Sequence, residues 1–226
     1  MNLFKKIGKS IAIAFSMYSK IPMVQFEWKE EDMRYSMCFF PLVGIVIGLL
    51  SWCWWLFCQQ FDIGKMCFAF VGIAIILLVT GGIHMDGYMD TMDALHSYGS
   101  REKKLEILKD SHIGAFAVIM TVLYVLIAAG AYSEIKNYSV MASFCGAYFL
   151  SRIFSAIAVV SFPCAKKEGT LYMFADAAQE KIVKRSLYAE LAFCVLWQIL
   201  MDPKAGIMQL ICALAVFGYY YYKSKK

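Results

Sequence analysis

Charged side chains are scarce in this chain. Of 226 residues only 17% are Asp, Glu, Lys or Arg, and proline occurs four times. A disordered chain, which needs charge in place of apolar groups, is excluded. No charged residue occurs from Tyr35 to Phe61, from Met66 to Met85, from Ile113 to Ser133 or from Ala205 to Tyr222. A soluble core would spread its apolar residues at helical or strand period, so charge-free runs of this length exclude an ordinary water-soluble fold. No pair among the eight cysteines has C-x-x-C spacing, and most fall in or beside the apolar runs. Zinc and disulfide frameworks are therefore not expected, and the cysteines read as small packing residues. Residues 3–20 show no convincing small-residue cleavage site, so a signal peptide is not expected either. No basic-aromatic recognition module is visible, which leaves no nucleic acid among the expected partners.

What the chain does have is apolar surface. Hydrophobic residues make up 61% of it and the mean hydropathy is +0.59. At about 1.5 Å per residue, a helix of roughly 20 residues crosses a hydrocarbon core about 30 Å thick. The sequence predicts an all-α, polytopic integral membrane helical bundle, a single membrane domain over 1–226. It has about six transmembrane helices, near 36–58, 66–83, 113–133, 138–163, 186–201 and 205–222, plus interfacial helices. The fifth span is short and carries Glu190, and the fourth carries Arg152. Gly44 and Gly48 form a G-x-x-x-G on the first span that would permit close helix contact.

Lys and Arg alternate across these spans. Six precede the first, four lie in 84–112, five in 164–185 and three follow the last, against one in each remaining connection. By the positive-inside rule the N-terminus, the 84–112 and 164–185 loops and the C-terminus are expected in the cytoplasm. Residues 1–34 then form a cytoplasmic or interfacial segment, with an amphipathic helix over 3–20. The net charge of +5 describes a cytoplasmic face beside anionic headgroups, with the lipid bilayer as a partner. Whether copies of the chain associate is left open.

The segment Thr80–Ser97, TGGIHMDGYMDTMDALHS, concentrates the acids. On a helix, steps of about 100° put Asp90 roughly 40° and Asp93 roughly −20° from Asp86, so the three share one stripe. Such a stripe is often only the wet side of an amphipathic helix. Here it emerges from a membrane span, has no Lys or Arg at i+4, and is followed by Asp110 just before the next span. Like charges this close need a cation among them, and carboxylate oxygens suit a hard divalent ion such as Mg²⁺. His84 lies roughly 160° from Asp86 on a continuous helix and would reach a metal only if Gly87 or the Gly81-Gly82 pair bent the backbone. A hydrogen-bonding or substrate role fits it better, and His96 and His112 read as headgroup-level polar residues. The cations after the acids, with Lys109 next to Asp110, and Lys166 and Lys167 in the other large loop, either lie at the membrane surface or hold phosphates. Arg152, inside a span, is expected to face a polar cavity, a ligand or an acid such as Glu190.

The run GGIHMDGYMDTMDAL followed by LEILKDSHIGAF resembles the cobalamin synthases, the adenosylcobinamide-GDP ribazoletransferases of bacteria and archaea. FFPLVGIVIGLL at 39–50 is similar to the family's first-span motif, and the stretch at Lys20-Ile21-Pro22 to its N-terminal Leu-Pro element. The resemblance implies a polytopic inner-membrane enzyme that requires Mg²⁺ and joins adenosylcobinamide-GDP to α-ribazole or its 5′-phosphate. The products would be adenosylcobalamin or its phosphate, and GMP. On that reading Asp86, Asp90 and Asp93 hold the metal, and Asp110 is a further ligand or the base. His84 orients or relays, and Lys109, Arg152, Lys166 and Lys167 bind phosphate. Ala94 stands where the family commonly has Gly, and His112 where Arg is common. The family continues past the last span into a G-G-x-T-G-D segment and a further helix, which this chain, ending in Tyr222-Lys-Ser-Lys-Lys226, is expected to lack. Two other classes share parts of this chemistry. A divalent-cation transporter would place its acids near the bilayer midplane, often in a repeated half. A CDP-alcohol phosphotransferase-like enzyme would show D-G-x-x-A-R…G-x-x-x-D-x-x-x-D, which is not matched.

Overall fold

The computed structural model describes residues 3–110, 112–164 and 169–224. Among them it has eleven helices and no strand: α1 (Leu3–Tyr18), α2 (Glu30–Met33), α3 (Ser36–Gln60), α4 (Lys65–Thr80), α5 (Ile83–His96), α6 (Arg101–Ile107), α7 (Ala115–Ser133), α8 (Tyr138–Ser161), α9 (Thr170–Ala177), α10 (Glu180–Met201) and α11 (Pro203–Ser224). The chain divides into two compact units, residues 1–53 with 136–226, and residues 54–135.

In the first unit α8 packs on α10 and α11. A Cβ on Gly44 would fall on the Tyr148 backbone, and one on Gly48 would lie 2.9 Å from the Cys145 carbonyl. The G-x-x-x-G therefore seats α3 directly on α8, as its spacing allowed. A polar ladder ties the other three helices. Gln198 Nε2 donates to Gln209 Oε1 at 3.0 Å, and Gln209 Nε2 donates to Ser143 Oγ at 3.2 Å. Such bonds hold helices together where lipid offers no hydrophobic drive. The N-terminal helix differs from a plain surface amphipath. Ala12, Ile13, Ala14 and Phe15 are buried in succession, so the second half of α1 has protein on every side and only its first turns, with Phe4, Lys5 and Lys6, are exposed. A 2.8 Å ion pair from Lys9 to the buried Asp32 fastens it to α2.

In the second unit α4 and α5 both pack on α7. The Tyr132 hydroxyl donates to the Gly72 carbonyl at 3.3 Å, its ring filling the space a side chain at Gly72 would need. α4 ends at Gly81, whose left-handed φ of 63° is followed by another, 79°, at Gly82. Two residues of this kind in succession turn the chain through 97° between α4 and α5.

Among the described residues four helices are long and apolar enough to cross a membrane: Ser36–Gln60, Ala115–Ser133, Tyr138–Ser161 and Pro203–Lys223; counting α4 with α5 as one bent span makes five. About six were expected from the sequence. α4 alone, at 16 residues, reaches roughly 24 Å. α10 fails on charge, because Glu180, Lys181, Lys184 and Arg185 crowd its first two turns and Glu190 follows.

Candidate active site

The turn at Gly81-Gly82 makes α5 a helix in its own right, at nearly a right angle to the apolar α4. Asp86 sits in its first turn, its N–H donating to the Gly82 carbonyl at 2.9 Å, where the positive end of the helix dipole favours a carboxylate. α5 runs unbroken through Gly87 to His96, so Asp86, Asp90 and Asp93 occupy one stripe as their spacing required. Burial holds the Asp90 carboxyl above its usual range, and the charges of Asp86 and Asp93 raise it further. That is the signature of like charges sharing a face.

The three acids are not equivalent. Asp93 Oδ2 accepts the Gly114 N–H at 2.7 Å and its Oδ1 accepts the Ala117 N–H at 2.8 Å, so its carboxylate closes the N-terminus of α7. Among the described residues, the Asp86 and Asp90 side chains make no hydrogen bond or ion pair. No group of three or more His, Cys, Asp and Glu among the described residues is gathered closely enough to hold a metal ion. Two open carboxylates still fit Mg²⁺, which takes one or two protein carboxylates and fills its other positions with water and phosphate oxygens.

The segment after α6 comes to the same unit. Lys109 is exposed in the turn that closes α6, its N–H donating to the Glu106 carbonyl. Asp110 Oδ1 accepts the backbone N–H of His112 at 3.0 Å and lies 2.6 Å from His112 Nδ1. These bonds hold the Asp110 carboxyl below the usual range, so it stays ionised. A carboxylate on Nδ1 orients an imidazole and leaves Nε2 outward, and the His112 side chain is 90% exposed. From the sequence His112 is expected to be a headgroup-level residue; the signal for its pairing is the D-x-H spacing with Asp110. His96 stacks on Phe116 at 4.9 Å and with Lys104, Ser97 and Tyr98 lines a cavity of about 480 Å³.

His84 shares the continuous α5 with Asp86. The bend lies upstream of both, so His84 stays roughly 160° round the helix from Asp86. Arg152 belongs to the other unit, where it is 8% exposed in α8 and Nη1 donates to Ser151 Oγ at 2.7 Å. Glu190 accepts from Ser186 Oγ at 2.9 Å. Lys166 and Lys167 lie outside the described residues.

Among the described residues the chain is all-helical and multi-pass, with a carboxylate face on a helix that turns off an apolar one, and that is the class that fold and site define. Comparison narrows it. The model of the cobalamin-5-phosphate synthase family matches residues 10–226. The chain is 41% identical over 210 residues to the adenosylcobinamide-GDP ribazoletransferase of Lachnoclostridium phytofermentans, covering 92% of this chain and 79% of that one. A Clostridium perfringens protein of the same name is 28% identical over 211 residues, covering 92% and 82%. One from Brevibacillus brevis is 40% identical over 129 residues, covering 55% and 50%. No solved structure matches. The chain belongs to the cobalamin-5-phosphate synthase family, membrane transferases of cobalamin biosynthesis.

Proposed function

We propose that this chain is an Mg²⁺-dependent transferase that joins adenosylcobinamide-GDP to α-ribazole or its 5′-phosphate, forming adenosylcobalamin or its phosphate and releasing GMP. The names of the relatives support the donor substrate, and the family's name supports the product. The observation that carries the reading is the acid face of α5, where Asp86 and Asp90 share a field and keep their carboxylates open.

The chemistry follows from the groups. A ribose hydroxyl attacks the phosphorus on the cobinamide side; the new O–P bond forms as the P–O bond to GMP breaks. The hydroxyl proton passes to the Asp110–His112 pair, whose 2.6 Å contact fixes the imidazole ring. Asp86 and Asp90 hold the metal, with Asp93 at the end of the same stripe. Bound Mg²⁺ supplies charge to offset what builds on the pyrophosphate oxygens. His84 orients substrate or relays a proton from the other side of α5, and Lys109, Arg152, Lys166 and Lys167 hold phosphate oxygens. The protein lies in the cell inner membrane with both termini and the 84–112 and 164–185 loops in the cytoplasm, where the nucleotide is found.

Membranes containing the protein, given adenosylcobinamide-GDP, α-ribazole and Mg²⁺, should release GMP in proportion to the corrinoid product. Asp90→Asn should lower that rate by about a hundredfold or more. An Asp90→Asn protein that turns over normally and still responds to Mg²⁺ would refute the assignment. A cation transporter would move ions across vesicles and release no GMP.

A further inference from the structure

We propose that Asp93 is a positioning residue: its carboxylate fixes the start of α7, and through it the place of the segment bearing Lys109, Asp110 and His112. The inference rests on the reading of this face as the active site. α7 is preceded at its N-cap position by Gly114, which has no side chain, so the helix lacks a side-chain cap of its own. The first-turn amides of a helix must find acceptors, and Ala117 is buried, where water is a poor substitute. Asp93 meets the need with both oxygens, at 2.7 and 2.8 Å, from 21 and 24 residues away. A carboxylate there also gains from the helix dipole.

Gly114 supports the same conclusion. Its φ of −86° and ψ of 169° are open to any residue, so backbone freedom does not require glycine. A Cβ there would come within 2.5 Å of Asp93 Oδ1. Glycine at 114 admits the carboxylate. The acids of α5 thus divide their work: Asp86 and Asp90 remain open, while Asp93 ties the acid-bearing helix to the loop that follows α6.

The test uses the whole 226-residue chain in detergent, with three measurements. They are amide hydrogen exchange over residues 114–118, Mn²⁺ binding by electron paramagnetic resonance in place of Mg²⁺, and kcat and KM for GMP release. Asp93→Ala should speed exchange at the start of α7 by about tenfold, the loss of a charge-assisted cap. Its Mn²⁺ affinity should stay within about threefold of the unmutated chain, whereas Asp90→Asn loses at least about tenfold. Turnover should fall in kcat with KM little changed, because Asp93 touches no substrate. Gly114→Ala, which keeps the acid but displaces it, should behave like Asp93→Ala, and the double variant should be no worse than Asp93→Ala alone. Asp93→Asn keeps one acceptor but turns an amide donor on the other N–H, and should fall between. Unchanged exchange in Asp93→Ala, or a loss of Mn²⁺ binding as large as that of Asp90→Asn, would overturn the proposal. Failure of the unmutated chain to bind Mn²⁺ would overturn the metal reading, and the exchange and double-variant results would still decide whether Asp93 holds α7.

Discussion

Asp90 is the acid on which the electrostatics of α5 converge, half-buried between Asp86 and Asp93 along one stripe. Without a cation its charge is a liability, since burial and two like neighbours all oppose ionisation. Asp90→Asn should therefore leave the metal-free protein as stable or slightly more so, by no more than about 1 kcal/mol at a partly exposed site. The same change should remove most of the rise in melting temperature that Mg²⁺ gives the unmutated chain. Thermal unfolding with and without Mg²⁺ checks both; a metal-free variant well below the unmutated chain would show that Asp90 has a structural partner instead. The stripe itself was legible, because three aspartates at helical spacing need no tertiary knowledge to fall on one face. The division of roles was not. The partners of Asp93 are backbone amides at Gly114 and Ala117, and main-chain donors leave no mark in a side-chain pattern. The trace they did leave was a gap: an apolar helix whose N-cap residue, Gly114, offers no capping oxygen.

At the scale of elements, the two left-handed glycines at the α4–α5 junction decide which way the acids face. A Cβ at Gly82 would meet nothing within 4 Å, so a substitution there tests conformation without steric contact. Gly82→Ala should cost about 1–2 kcal/mol, the penalty of placing an L side chain at φ 79°. Gly87 also has open space around it but lies in the helical interior of α5. Gly87→Ala should stabilise by roughly 1 kcal/mol through helix propensity. Chemical denaturation of the two variants should give opposite signs, and equal effects would mean that the left-handed turn does not constrain the fold. The junction was readable from the sequence because paired glycines after an apolar run end helices. The burial of α1 was harder to see. Lys5, Lys6 and Lys9 among Ile and Phe suggest an interfacial amphipath, but burial at Ala12–Phe15 depends on which helices surround it, information held in the packing of the unit.

Across the whole molecule the topology turns on α10. Its 22 residues are enough to cross a bilayer, and its charge is unevenly spread. Glu180, Lys181, Lys184 and Arg185 fall in the first six positions, where a helix entering from the cytoplasm meets headgroups that favour Lys and Arg. Beyond Ser186 the only charged residue is Glu190, whose Oε1 accepts from that serine, and Gln198 Nε2 donates to Gln209 Oε1 of α11; the second oxygen of Glu190 and the Gln198 Oε1 are buried without a hydrogen-bond partner among the described residues. Polar groups inside a membrane are tolerated when they face another helix in this way. Asp202 alone separates α10 from α11, its carboxylate accepting the Ala205 N–H at 3.0 Å, so the two form a helical hairpin. The hydropathy of α10 fails because the charged end is averaged with the apolar end, although the two sit in different solvents. If α10 crosses, the Asp202–Lys204 turn lies outside and the C-terminus inside. Alkaline phosphatase fused after Lys204 should then be active and the same enzyme fused after Lys226 inactive, while green fluorescent protein should glow only at the second position. The reverse result would keep α10 on the cytoplasmic surface and carry the tail beginning at Lys223 across the membrane, against the excess of Lys that anchors that end inside.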